Sequence, residues 1–132
     1  MIVLDTHVWI WWLGDKTKLS PLSMQRIEDE LEQNSTIVLS SISVWEIAML
    51  VGKGRLELTL NVRDWIRKTE GLPFVRFVPV DNTIMLRSVE LPGKFHNDPA
   101  DRIIVATAMT MGLPIVTKDK KIQFYEYVET CW

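Results

Sequence analysis

The chain has 132 residues, enough for one domain with a single buried core and too few for two. Hydrophobic residues at 47% and charged residues at 24% are a globular composition, and no apolar run approaches the ~20 residues of a membrane-spanning helix, so a soluble protein is expected and a helical membrane protein is excluded. One cysteine, Cys131, excludes an internal disulfide framework and fits a reducing, cytoplasmic compartment, while the net charge of −2 neither supports nor excludes a nucleic-acid partner.

Met1 runs straight into an apolar segment, which leaves no room for a leader and cleavage site, so no signal peptide is expected. Ile2 to Leu4 is short and uniformly apolar, as befits a central strand buried on both faces, and Asp5 ends it. Thr6 is placed to cap a helix through Val8, Trp9, Trp12 and Leu13 to Gly14. Ser20 and Pro21 supply a cap and a first-position proline for a second helix. Its Met24, Ile27 and Leu31 should face the core and its Glu28, Asp29, Glu30 and Glu32 mostly water. Thr36 to Leu39 reads as a second buried strand. Ser43 then opens a helix through Val44, Trp45, Ile47, Ala48 and Val51 that Gly52 or Gly54 can stop, with Glu46 on its first turn. Asn61 caps a helix bearing Val62, Trp65 and Ile66, ended by Gly71, and Val75 to Val80, which contains Pro79, reads as an edge strand.

Asp81 caps a helix through Ile84, Met85 and Val89, before a turn at Leu91-Pro92-Gly93. Asp98 and Pro99 open the clearest helix, running over Ile103 to Met109 and ended by Gly112. Ile115 to Thr117 is a further strand, Asp119 caps a short turn, and Tyr125 to Thr130 reads as a final edge strand. This alternation predicts a single α/β domain over residues 1–132, with a parallel sheet covered on both faces. Trp9, Trp12, Trp45 and Trp65 fall on core faces, which leaves Trp11 and Trp132 for a partner surface.

Four acids, Asp5, Glu46, Asp101 and Asp119, fall where this pattern brings them to one rim of the sheet, outside the carboxyl ends of the strands where open α/β sheets gather ligands. Three have local explanations. Ser43 and Glu46 match a capping box, Asp101 sits at the third position after Asp98 and gains from the helix dipole, and Asp119 can cap a turn. Asp5 is harder to explain locally, because a carboxylate at the end of a buried strand is costly without a partner. Local reasons also leave the convergence unexplained. Hard divalent cations take oxygen ligands, and Mg²⁺ keeps several waters for a phosphate-bearing substrate to displace.

The four acids therefore predict an Mg²⁺ or Mn²⁺ site for phosphoryl-transfer chemistry, with raised pKa values and lower stability when metal-free. Setting four of the 17 acids aside as ligands leaves 13 against 15 Lys and Arg, a balance of +2 that can hold a phosphate backbone. Asp98 is expected to be a cap that also supports the site. His7 and His96 are too isolated to form a zinc motif. Arg102 and Lys118, beside Asp101 and Asp119, are the basic side chains expected to meet a phosphate.

Four segments, Ile2-Val3-Leu4-Asp5-Thr6-His7, Ser40 to Ala48, His96-Asn97-Asp98-Pro99-Ala100-Asp101-Arg102 and Thr117-Lys118-Asp119, together resemble the signature segments of PIN-domain nucleases. The His-x-Asp-Pro-x-Asp-Arg segment and Gly54-Arg55-Leu56 resemble the branch that contains VapC-type toxins of toxin–antitoxin pairs. The resemblance spans nearly the whole chain and rests on the order and spacing of the segments. It implies an α/β/α sandwich with strand order 3-2-1-4-5, an Mg²⁺- or Mn²⁺-dependent endoribonuclease, a homodimer and inhibition by a cognate antitoxin. Asp5, Glu46, Asp101 and Asp119 match the family's acidic quartet, Thr117 matches a polar site residue, and His7 stands where many relatives carry asparagine.

The implied reaction is hydrolysis of an RNA phosphodiester by a water that one or two cations activate, leaving 5′-phosphate and 3′-hydroxyl ends. Asp5 and Asp101 are expected to hold the principal cation, Glu46 to bind a cation or orient the water, and Asp119 to hold a second cation or act through water. A receiver-like signalling module is the alternative from another class, with Asp81 and Lys118 mimicking its phosphoacceptor and lysine, but it needs an acidic pair after the first strand. A haloacid-dehalogenase-like phosphatase needs Asp-x-Asp where Asp5-Thr6-His7 stands.

Overall fold

Five short strands, β1 (Ile2–Leu4), β2 (Ile37–Ser40), β3 (Val75–Val78), β4 (Ile115–Val116) and β5 (Thr130–Cys131), form one sheet in the computed structural model, which describes residues 1–132. All pairings are parallel and the order is β3-β2-β1-β4-β5, as the resemblance implies. Seven α-helices surround it: α1 (Thr6–Leu13), α2 (Pro21–Glu32), α3 (Ser41–Gly52), α4 (Val62–Glu70), α5 (Asn82–Val89), α6 (Pro99–Met111) and α7 (Lys120–Gln123).

Successive strand residues point to opposite faces, so each central strand feeds two cores. Ile2, Leu4, Ile37 and Leu39 pack with Trp9, Trp12, Ile27 and Trp65 beneath α1, α2 and α4. Val3, Val38 and Ile115 pack with Ile84, Ile104, Val105 and Ile122 beneath α5, α6 and α7. The result is a three-layer α/β/α arrangement whose central strands have no exposed face, which is why they read as unbroken apolar runs.

Asn61, Asp81 and Asp98 cap α4, α5 and α6 as expected, and Gly112 ends α6 in the left-handed region (φ 66°). Other local expectations are corrected. The cap of α1 is Asp5, with Thr6 as the first helical residue. The cap of α3 is Ser40, so Ser43 lies inside the helix and forms no capping box with Glu46. β2 remains paired to β3 as far as Ser40, and the chain turns there rather than three residues later.

Glu30 does not face water; it is buried against the Met1 ammonium at 2.8 Å, with Arg26 at 3.4 Å. Trp45 is 53% exposed, on the outer side of α3. Tyr125 to Glu129 is not strand. Tyr125 is drawn into the second core, where its hydroxyl donates to the Pro92 carbonyl, and only Thr130 and Cys131 pair with β4.

Candidate functional site

β1 and β4 are neighbours in the sheet, yet the chain passes through β2 and β3 between them, so the direction of winding reverses at this pair. The crevice outside the carboxyl ends of such strands is where doubly wound sheets hold ligands. Asp5 leaves β1 into it and Thr117 leaves β4 into it. A cleft of about 370 Å³ opens there, lined by the carboxylates of Asp5, Glu46, Asp98, Asp101 and Asp119 together with His7, Trp11 and Lys118. The four acids singled out from the sequence thus meet around one cleft.

Two hydroxyls hold the acids in place. Asp5 is buried; its Oδ1 accepts the Thr6 backbone N–H at 2.8 Å and its Oδ2 accepts the Thr117 hydroxyl at 2.7 Å. The same Thr117 oxygen accepts the Asp119 backbone N–H at 3.0 Å, while Asp119 Oδ1 accepts the Lys121 N–H and caps α7. Thr6 Oγ1 lies 2.5 Å from Glu46 Oε1 and 2.8 Å from Ser43 Oγ. A threonine hydroxyl has one proton. Thr6 therefore donates it to the Glu46 carboxylate and receives that of Ser43, which explains why a serine is buried inside α3. Asp98 Oδ1 accepts the Ala100 and Asp101 N–H groups, fixing the first turn of α6 on which Asp101 rides.

The cluster is electrostatically unfavourable as it stands. Burial raises the Asp5 carboxyl above its ordinary value, against the pull of its bonds to Thr117 and Thr6. Burial also raises Glu46, and the Asp5 and Asp98 charges add to it. Asp101 is pushed up to about 8, by burial first and then by the carboxylates of Asp5, Asp98, Asp119 and Glu46. No lysine or arginine forms an ion pair with any of them. Crowded, hard oxygens without a lysine or arginine partner could hold a hard divalent cation, whose charge would offset the repulsion.

Arg102, expected to meet a phosphate, does not line the cleft. Its guanidinium donates to the carbonyls of Ser88 (2.8 Å), Phe95 (3.0 Å), His96 (3.2 Å) and Val89 (3.5 Å), which occupies the fork and ties the 88–96 segment to α6. Lys118 does line the cleft, with Nζ 5.7 Å from the Trp11 ring centroid. Trp11 and Trp132 pack on each other at 6.0 Å rather than standing free. Sequence reasoning missed His96, whose Nε2 lies 3.0 Å from Asp101 Oδ2. The only sequence signal for it is its place just before the Asp98 cap, and its direction depends on the non-local Arg102 bonds. Asp81, the receiver-like phosphoacceptor candidate, spends its carboxylate capping α5 and does not line the cleft.

Known proteins resemble this chain in sequence and in fold. The sequence profile of the PIN domain matches residues 2–128. A ribonuclease, VapC22 of Mycobacterium tuberculosis, is 33% identical over 126 residues, covering 96% of this chain and 92% of that protein. Among solved structures, VapBC2 from Rickettsia felis bound to a DNA fragment from its promoter superposes with a TM-score of 0.69 at 19% identity, covering 98% of this chain and 97% of that one. DNA-bound VapBC from Salmonella typhimurium does so with a TM-score of 0.68 at 18% identity and the same coverage. At those identities the structural likeness speaks for the fold.

Proposed function

The chain belongs to the PIN domain family, and on that basis we propose that it is a divalent-cation-dependent endoribonuclease, the toxin of a toxin–antitoxin pair. The observation that carries the reading is the convergence of Asp5, Glu46, Asp101 and Asp119 on one cleft without a lysine or arginine to neutralise them. In it, Asp5 and Asp101 would hold Mg²⁺ or Mn²⁺, with Glu46 and Asp119 completing the anionic set. A cation bound there would lower the pKa of water and neutralise charge building on the phosphate and leaving oxygen.

The chain's own groups do the rest. Thr117 and Thr6 keep the Asp5 and Glu46 carboxylates from rotating, and Glu46, raised by burial, orients the attacking water and accepts its proton. Lys118, at the mouth, meets the phosphate backbone of the RNA. No 2′-hydroxyl nucleophile is required, so the products carry 5′-phosphate and 3′-hydroxyl ends.

A second groove of about 640 Å³ adjoins the cleft and shares His7 and Trp11 with it. Apolar Ile10, Leu56, Leu58 and Trp65 line it beside Lys18 and Arg55, which suits an amphipathic antitoxin segment laid next to the site. The exposed Trp45 on α3 supports burial against a second copy in a homodimer. No helix is long and apolar enough to cross a membrane, and the free Cys131 suits a cytoplasmic setting, where one nuclease domain over residues 1–132 would act.

The test is 5′-end mapping of cellular RNA after incubation with the purified protein and Mg²⁺ or Mn²⁺, beside EDTA and Asp101→Asn controls. Discrete metal-dependent cuts with 5′-phosphate ends, lost in Asp101→Asn, are expected. Cyclic phosphate ends, or no cuts from folded, partner-free protein, would overturn the reading.

A further inference from the structure

The imidazole of His96 is held in a way that a surface histidine is not. Its Nε2 is shut off from solvent and makes no well-directed hydrogen bond, even though Asp101 Oδ2 is 3.0 Å away. Donor atoms of His96, Asp101 and Asp119 all lie within 4.8 Å of one another, a grouping that a single ion could hold by drawing the side chains slightly together.

The His96–Asp101 spacing of 3.0 Å suits two donors on adjacent corners of one octahedral ion, as it also suits an ion pair. The loop that presents the ring is braced rather than floppy. Arg102 holds the carbonyls of both Phe95 and His96, and the Phe95 ring packs between His96 (4.5 Å between centroids) and Tyr125 (4.8 Å). Nε2 is therefore preorganised toward the acids.

We infer that His96 is a direct cation ligand through Nε2, which makes the centre a mixed nitrogen–oxygen site that takes Mn²⁺ in preference to Mg²⁺. This rests on the reading of the acidic cleft as a divalent-cation site. The chemistry follows from the donor: Mg²⁺ favours oxygen and gives up water reluctantly, whereas Mn²⁺, a softer transition ion, accepts an imidazole nitrogen more readily. In an all-carboxylate site the two ions differ less.

The experiment is Mn²⁺ titration of the metal-free full chain followed by electron paramagnetic resonance, with electron spin-echo envelope modulation of the bound ion to detect a ligating ¹⁴N. Calorimetric Mg²⁺ titrations run in parallel. The chain has two histidines, so His7→Gln and His96→Gln assign any nitrogen signal. Nitrogen modulation is expected in the wild type and in His7→Gln and should vanish in His96→Gln. Mn²⁺ affinity should fall at least about 10-fold in His96→Gln while Mg²⁺ affinity falls less than about 3-fold.

Should His96→Gln fail to fold, the wild type and His7→Gln still decide the assignment by elimination. Bound Mn²⁺ without nitrogen modulation, or modulation lost in His7→Gln, overturns the ligand role and leaves the cation site standing. Equal losses for both ions overturn the preference for Mn²⁺. Failure of Mn²⁺ to bind the wild type at all overturns the cation site with it.

Discussion

Thr117 donates its hydroxyl proton to Asp5 across 2.7 Å, joining two residues 112 positions apart that leave adjacent parallel strands. The same oxygen takes the Asp119 N–H, so one side chain sets both the deepest acid of the cleft and the turn that presents Asp119. A buried carboxylate already pushed toward protonation depends on such a donor to remain an anion. Thr117→Val keeps the shape and removes the bond. Loss of this hydrogen bond to a buried carboxylate is expected to lower stability by about 1–3 kcal/mol and metal affinity by about 10–100-fold, read by urea unfolding and Mn²⁺ titration. Unchanged metal affinity would show that Asp5 needs no support from β4.

The pH dependence of stability follows from Asp101. Its carboxyl titrates at about 8 in the fold against 3.8 ordinarily, because burial and then the charges of Asp5, Asp98, Asp119 and Glu46 oppose its ionisation. A group with a folded pKa above its unfolded one binds more protons when native. Its stabilisation is complete below the unfolded value and disappears as pH rises through the folded one. Asp5 and Glu46 shift in the same direction.

In EDTA, the unfolding free energy is therefore expected to fall between pH 5 and 8 by on the order of 2–5 kcal/mol. Asp101→Asn should flatten that slope and be more stable than the wild type at pH 8, although inactive. Saturating Mn²⁺ at pH 8 should restore the wild type far more than Asp101→Asn. A pH-independent unfolding midpoint would count against a repulsive cluster.

What could be read from the chain alone divides along the distance over which each feature is decided. The central strands were legible because burial on both faces leaves continuous apolar runs, and caps such as Asn61, Asp81 and Asp98 were legible because a cap is a contact within three residues. Glu46 was brought to the right rim for the wrong local reason. Ser40 and Ser43 both look like caps, and the choice rests on how far β2 stays paired to β3, while Ser43 is drawn inward by Thr6. The partners of Arg102 and the direction of His96 were illegible for one reason. Nothing near Arg102 in sequence shows that the 88–96 segment folds back to offer it four carbonyls, and without that brace the His96 ring has no defined direction. Glu30 and Trp45 likewise depended on neighbours brought by the tertiary fold.

Lys118 is the basic side chain left free at the cleft once Arg102 is assigned to the loop. It makes no ion pair, and its ammonium lies over the Trp11 ring. Lys118→Ala is expected to weaken binding of single-stranded RNA to a catalytically dead Asp101→Asn background. The slope of log affinity against log salt should become shallower by about 0.7, the contribution of one phosphate contact. Thermal stability should hardly change, since an exposed lysine contributes little to the fold. An unaltered salt slope would remove Lys118 from the RNA path.

Arg102 supplies the converse case, a basic residue whose loss should register in stability and geometry before it registers in RNA binding. Its donors end on four backbone carbonyls, and no donor outside the guanidinium is hydrogen-bonded to them in its place. Arg102→Leu is expected to cost about 2–4 kcal/mol in urea unfolding, because charge-assisted bonds are lost and partly buried carbonyls are left unpaired. Arg102→Lys should rescue little of this, since a single ammonium cannot span carbonyls that a planar fork reaches together. In Arg102→Lys at a temperature where it is folded, the salt slope of RNA binding should match the wild type, because the charge was never directed at phosphate. The amide protons of residues 88–96 should at the same time exchange faster. A changed salt slope with unchanged exchange would return Arg102 to the substrate side of the cleft.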